Sequence, residues 1–451
     1  MALVAEMMLV VMAAALRSSA AAGAQSSFVD CAFEPTNHSD PETTAAINKC
    51  RCTQTREIRC DGLNGVLPYF RSRAGSEFQR LCMTRQNIRE LRRRAFADIR
   101  VACLVANFNP LADGISSNAF GGLERVLEEL QLGGCEIRSL PEGLLSGMDE
   151  LKRLHLWANR IVSIPTGFFK GARNLRELLL WGNEIRQLND STLAGLWSLR
   201  RLDLDRNQIS SLQKTVFRHL LELEVLHLRG NSIKFLHDET FVYMSNLKVL
   251  SLDANDINIV LSKAFQGLNE LVSLTLSDNR IDYLTENLFL NLRNLTRLVL
   301  RNNAIQYIWT NTFSGLRSLQ YLDLASNVVA NLPDGPFRHT PRLRHLFLDG
   351  NSLQVFRKCS FSKRSKLKTL SLAGNNITCD CQTSLAVTGA FPRVVWGTCL
   401  YVTTPHHSRF HPPHENYTMA SFPAGEMSVR NYFQHLSTCT SNQTAQECHP
   451  E

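Results

Sequence analysis

The chain has 451 residues, 44% hydrophobic and 20% charged, with a formal net charge of +8 and 13 cysteines. Its apolar content is adequate for a core and its charge is ordinary, which excludes global disorder and a collagen-like chain. So many cysteines suit an oxidising compartment, and the odd count leaves at least one thiol free or bonded outside the chain.

Residues 7–16 (MMLVVMAAAL) form a short apolar run that leads into Ala22-Gly23-Ala24, a small-x-small cleavage pattern. Residues 1–24 therefore read as a signal peptide, although Glu6 stands where a basic n-region is usual. No later stretch has the ~18–20 consecutive apolar residues of a membrane span, and the polar end CTSNQTAQECHPE does not fit a GPI signal. The expectation is a secreted, extracellular glycoprotein with no membrane span. Six Asn-x-Ser/Thr sequons suit that route: Asn37, Asn189, Asn294, Asn376, Asn416 and Asn442.

Residues 25–76 carry Cys31, Cys50, Cys52 and Cys60. Two loose apolar repeats follow, one through Phe78, Leu81, Ile88, Leu91 and Phe96, the next through Val101, Leu104, Asn109, Leu111 and Phe120. From Leu127 the frame LxxLxLxxNxIxxLxxxxFxxLxx then recurs every 24 residues, at Leu127, Leu151, Leu175, Leu199, Leu223, Leu247, Leu271, Leu295, Leu319, Leu343 and Leu367. An LxL core such as Leu154 and Leu156 is a short strand whose leucines point inward. The asparagine that follows (Asn159, Asn183 and so on to Asn375) can satisfy buried backbone groups that no ladder reaches. A phenylalanine column packs behind, at Phe169, Phe217, Phe241, Phe265, Phe289, Phe313, Phe337 and Phe361, with Leu193 as its interruption. Cys135 takes the asparagine position in the first regular copy and is the expected odd, structural thiol.

This frame resembles the extracellular leucine-rich repeat family. The resemblance implies an α/β solenoid: a horseshoe with a parallel sheet on its concave face, about 11 regular repeats and about 2 irregular ones over 77–378, disulfide-capped at both ends. The early cysteines are similar to the family's N-terminal cap, which implies Cys31–Cys52 and Cys50–Cys60. Cys379, Cys381, Cys399 and Cys439 in 379–451 are similar to its C-terminal cap, which implies Cys379–Cys399 and Cys381–Cys439. Cys82 and Cys103 fall on neighbouring early strands and are expected to pair, while Cys359 and Cys448 stay unassigned.

No Walker loop, dinucleotide fingerprint, HExxH or GxSxG occurs, so neither catalysis nor a cofactor is expected. The tail histidines His406, His407, His411 and His414 read as a solvated loop rather than a metal site. What remains is surface. The outward strand positions compose a concave face of Arg153, His155, Trp157, Glu177, Leu179, Trp181, Arg201, Asp203, Asp205, Arg206, His227, Arg229 and Asp253. It continues through Arg297, Arg301, Tyr321, Asp323, His345, Phe347 and Asp349. Trp157 and Trp181 share one slot on adjacent strands, roughly 4.8 Å apart by strand spacing, an arrangement suited to a ligand or to stacking on each other and on Arg153 or Arg206. The alternation Arg153, Glu177, Arg201 reads as a cross-strand charge ladder.

Two basic clusters, Arg89/Arg92/Arg93/Arg94 and Arg357/Lys358/Lys363/Arg364/Lys366/Lys368, suit either sulfated glycans of the heparan type or a plain solvated face, with nucleic acid excluded by compartment. The family resemblance, to Slit-like, Toll-ectodomain-like and acid-labile-subunit-like proteins, implies a recognition protein that binds an extracellular protein ligand on the concave face. Its alternatives are a non-catalytic accessory subunit of a secreted complex and a glycan-binding matrix protein.

Overall fold

The computed structural model describes residues 28–29, 41–71, 76–354, 366–377, 394–396, 398–400 and 426–428. The expected signal peptide lies outside these residues. So do Cys31, Cys359, Cys379, Cys381, Cys439 and Cys448, as do the tail histidines.

The framework is a solenoid around one 17-stranded sheet. The strands β1 (Phe28–Val29), β2 (Cys50–Thr53) and β3 (Glu57–Cys60) are antiparallel neighbours at its beginning. From β3 onward every step is parallel, through β4 (Phe78–Cys82), β5 (Val101–Val105), β6 (Glu129–Gln131), β7 (Arg153–His155), β8 (Glu177–Leu179), β9 (Arg201–Asp203) and β10 (Val225–His227). The register then advances by one period per strand through Val249–Ser251, Ser273–Thr275, Arg297–Val299, Tyr321–Asp323, His345–Phe347 and Thr369–Ser371. The strands are short because each period has to turn back on itself. Among the described residues the convex side is built mostly of turns, with one 3₁₀ helix at Phe168–Gly171.

The leucines of the frame are fully buried in one continuous core. Behind them the phenylalanine column is a row of near-parallel rings from Phe217 to Phe337, with centroids 5.6–6.4 Å apart. A second row, Phe70–Phe96–Phe120, runs back into the cysteine-rich beginning. The solenoid therefore starts earlier than the periodicity indicates. Ile58, Leu63 and Phe70 are buried as one more turn, and Gln86 stands in for the asparagine, its Oε1 accepting from Leu63 N at 3.0 Å.

The asparagine column binds each turn to the one before. Asn231 Nδ2 donates to Leu228 O and to Leu204 O, both at 3.0 Å, and its Oδ1 accepts from Ile209 N at 3.0 Å. The same triple recurs from Asn159 to Asn375, so one side chain satisfies two carbonyls and one N–H that the turning backbone would otherwise bury unpaired. The residue before each asparagine, and before Cys135, is left-handed, with φ from 52° to 71° at Phe108, Gly134, Ala158, Gly182, Arg206, Gly230 and Ala254. That conformation ends the strand while keeping its N–H on the next repeat, as in Ala158 N to Trp181 O at 2.8 Å.

Cys50 and Cys60 form a disulfide across β2 and β3, and Cys52 is also disulfide-bonded. Cys82 and Cys103, expected to pair, are free thiols. The strands are adjacent but the cysteines are offset: Cys103 sits opposite Arg80, and Cys82 opposite Val105. Such a diagonal separates Cα atoms by roughly 8 Å, beyond the reach of a disulfide. Cys135 is free and buried as expected. Its Sγ donates to Ala106 O at 3.2 Å, and because a thiol offers no amide oxygen, Leu111 N turns to Cys135 O at 3.0 Å.

Replacing Asn231 by Ala should cost about 2–4 kcal/mol of unfolding free energy, since it strands an N–H and two carbonyls in the core. Denaturant unfolding of the variant checks this. A cost below ~1 kcal/mol would mean that water takes over the amide's role.

Candidate functional site

The concave face is an array of three outward positions per repeat, set by the register of the strands. Residues one period apart lie on neighbouring strands, so column order in the sequence is spatial order along the face.

Near its first end is an aromatic stack. Trp157 and Trp181 lie almost parallel, at 4° and 5.3 Å between centroids. Phe108 meets Trp157 edge-on at 5.4 Å, and the Arg85 guanidinium covers Phe108 at 5.0 Å. Phe108 and Arg85, which belong to the irregular copies and were not singled out from sequence, extend the stack, while Arg153 is drawn to Glu129. The slot between Phe108 and Trp157 belongs to Gly133, where an added Cβ would stand 2.2 Å from Trp157 Cε2. Glycine there is what lets the indole lie down over the sheet. Both tryptophans are half-buried by this arrangement rather than standing free.

The charge ladder is paired differently from expectation. Arg153 donates from Nε and Nη2 to Glu129 at 2.9 and 2.7 Å, and Glu177 pairs with His155 at 2.8 Å. Glu129 wins Arg153 because it is buried and oriented by Gln131. Burial pushes its carboxyl up, but the hydrogen bonds from Gln131 and Arg153 prevail and hold it below the usual range. Arg201 approaches Asp203 at 3.9 Å. Asp205 accepts from Arg229 N at 2.6 Å, and burial together with the Asp203 carboxylate pushes it up to about 7. Burial also lowers the pKa of His227, against the pull of Asp203.

Several concave aspartates share this inward duty. Asp253 accepts from Ser277 N at 2.7 Å and from the Ser251 and Thr275 hydroxyls. Asp349 accepts from Ala373 N at 3.2 Å and from Ser371, and Asp323 from Ala325 N at 3.0 Å. A second aromatic cluster lies farther along. The Arg297 guanidinium covers Tyr321 at 4.0 Å, and Tyr321 contacts Phe347 at 5.2 Å between centroids.

Outside the concave face, sequence reasoning missed an apolar stripe on the flank. Phe235, Ile259, Tyr283 and Tyr307 occupy one repeat position in four successive copies, and Tyr307 and Trp309 are 63% and 50% exposed. The signal was available: the same position holds Ser163, Gln187 and Ser211 in earlier copies. Among the basic residues, Arg89, Arg92, Arg93 and Arg94 are exposed, as is Lys366, whereas Arg357, Lys358, Lys363 and Arg364 lie outside the described residues. Asn189, Asn294 and Asn376 are exposed; Asn37, Asn416 and Asn442 lie outside. Among the described residues no helix is long and apolar enough to cross a membrane, and no His/Cys/Asp/Glu cluster is placed to hold a metal.

The family model described as leucine rich repeat matches residues 149–209, 173–233, 198–257, 221–281, 270–329 and 326–377, together half of the chain. No curated protein sequence matches. Among solved structures, the Drosophila Toll–Spatzle complex aligns at TM-score 0.57 and 19% identity, over 86% of this chain and 60% of that one. An octameric complex of Latrophilin 3, Unc5D and the FLRT2 repeat domain aligns at TM-score 0.57 and 20% identity, over 79% and 93%. A Leptospira interrogans LRR protein aligns at TM-score 0.51 and 25% identity, over 68% and 81%. The chain spans about three fifths of the Toll chain; these likenesses establish the fold.

Two outcomes follow from the buried groups. The neutral form of Asp205 contributes stability that is complete below pH ~4 and lost as pH rises through about 7. Asp205→Asn should therefore raise the melting temperature relative to the native chain more at pH 8 than at pH 4, and an equal difference at both would contradict it. Burial raises the thiols of Cys103 and Cys135 to about 12 and about 11. In the native protein at pH 8, peptide mass spectrometry should find both unmodified by N-ethylmaleimide after an exposure that labels them fully in urea.

Proposed function

The chain belongs to the leucine-rich repeat family, and from that premise we propose that it is a secreted, glycosylated, non-catalytic recognition protein whose concave face binds an extracellular protein ligand. The observation that carries this reading is the Arg85–Phe108–Trp157–Trp181 stack. Core phenylalanines of this fold sit behind the sheet; these rings sit in front of it and cover one another there. Aromatic and arginine side chains preassembled on a rigid sheet lose little entropy on binding and are the residue types that dominate interface energies. Arg153, His155, Glu177, Arg201, Asp203, Asp205, His227 and Arg229 surround the stack and complete the proposed surface. Similar folds in the Toll–Spatzle and FLRT2 complexes occur in assemblies with other proteins, which agrees with the reading.

Immobilised mature protein should retain a protein from its native extracellular fluid, and Trp157→Ala with Trp181→Ala should weaken that complex by more than ~2 kcal/mol while leaving secretion intact. Undiminished binding would sink the concave-face reading. Secretion and glycosylation are checked separately: the expressed protein should begin at Gln25 and lose mass on treatment with an endoglycosidase.

A further inference from the structure

The two aromatic clusters of the concave face are placed as a pair. Trp181 follows β8, and Tyr321 opens a strand six steps along the ladder, roughly 29 Å away along the sheet at ~4.8 Å per strand. Between them the face is low. On its two central repeats the outward positions are Val249, Ser251, Asp253, Ser273, Thr275 and Ser277, none with a long side chain. Exposed arginines flank this floor, Arg201, Arg206 and Arg229 on the side of the tryptophans and Arg297 and Arg301 on the side of Tyr321. The order along the face is thus aromatic, arginine, small residues, arginine, aromatic.

The charge seen from this valley is on balance positive. Asp205, Asp253 and Asp349 spend their lone pairs on the backbone N–H groups of Arg229, Ser277 and Ala373, set back against the sheet. The Asp205 carboxyl is further neutralised by burial. Arg297 is laid over Tyr321, which leaves its charge beside the second aromatic cluster. Five guanidinium groups project, whereas of the carboxylates on this part of the face only Asp278 is exposed, so an approaching chain meets net positive charge between two apolar walls.

We propose that the valley between Trp181 and Tyr321 binds an acidic polypeptide segment, whose carboxylates meet Arg229 and Arg301 and whose apolar side chains anchor on the two aromatic clusters. This rests on the concave-face reading and narrows it to a partner chemistry and a length. An extended chain covers ~3.3 Å per residue, so anchors that fit both clusters stand about nine residues apart.

The test uses the full-length protein and fluorescent 16-residue peptides of three kinds, read by anisotropy: Glu-rich with a Trp or Leu nine residues apart, the same with the apolar pair four apart, and a Lys-rich counterpart of the first. The nine-spaced acidic peptide should bind tightest, by at least tenfold, with an affinity that falls as salt rises. Arg229→Ala with Arg301→Ala should weaken it at least tenfold and flatten that salt dependence, while Arg229→Lys with Arg301→Lys preserves most of it. Tyr321→Ala with Phe347→Ala should reduce the nine-spaced peptide to the level of the four-spaced one. Unchanged melting temperatures would establish that these variants fold. Equal binding of the Lys-rich peptide, or of a heparin oligosaccharide in place of the acidic one, overturns the proposal. So does loss of binding on Trp157→Ala with Trp181→Ala but on neither other pair; that outcome leaves the concave-face reading standing.

Discussion

The fold depends on one side-chain amide per repeat. A period of 24 residues has to leave the sheet, cross the convex side and return, and at each exit the backbone turns inward with its polar groups unpaired. The asparagine amide closes that gap from both sides, donating to its own turn and to the previous one and accepting from a third group. Because two of its three bonds cross to the neighbouring turn, the column couples repeats as directly as the sheet does. Leucine burial supplies most of the favourable free energy, but it is non-directional and tolerant of slippage. The amides give the stack its register, and the register decides which side chains share a column on the concave face.

That dependence explains what the sequence revealed. The period, the asparagine column and the side-by-side tryptophans were legible because each is a local rule repeated without a gap. The start of the solenoid was not, since Gln86 does the work of asparagine with a longer arm and Phe70 sits in a segment dominated by cysteines. The partners of the tryptophans were hidden for the same reason: Phe108 lies in a copy whose spacing is broken. Pairing of charges was misread where several partners compete, as when Arg153 chose buried Glu129 over Glu177. Cys82 and Cys103 show the limit of adjacency, because neighbouring strands do not make neighbouring side chains without the register. The flank stripe escaped notice because attention to strands leaves the return path unread.

Concave polar residues carry two kinds of duty that composition does not separate. Asp205, Asp253 and Asp349 brace neighbouring backbones, whereas Arg229 and Arg301 in the same column reach outward. The division follows from length. A short carboxylate at this position meets the next strand's N–H, and a long guanidinium passes over it.

The turn that contains Cys135 departs from the frame in three respects at once. It has a thiol for an amide, a glycine in place of a side chain at Gly133, and Leu145 where a ring would join Phe120 to Phe169. In a linear array, stability is a sum of intrinsic and nearest-neighbour coupling energies, so a turn with fewer side-chain contacts to its neighbours is a weaker link in the stack. The one aromatic contact that crosses it on the concave side is Phe108 against Trp157. That contact ties the repeat before the turn to the repeat after it, so the aromatic stack belongs as much to the cohesion of the solenoid as to its surface.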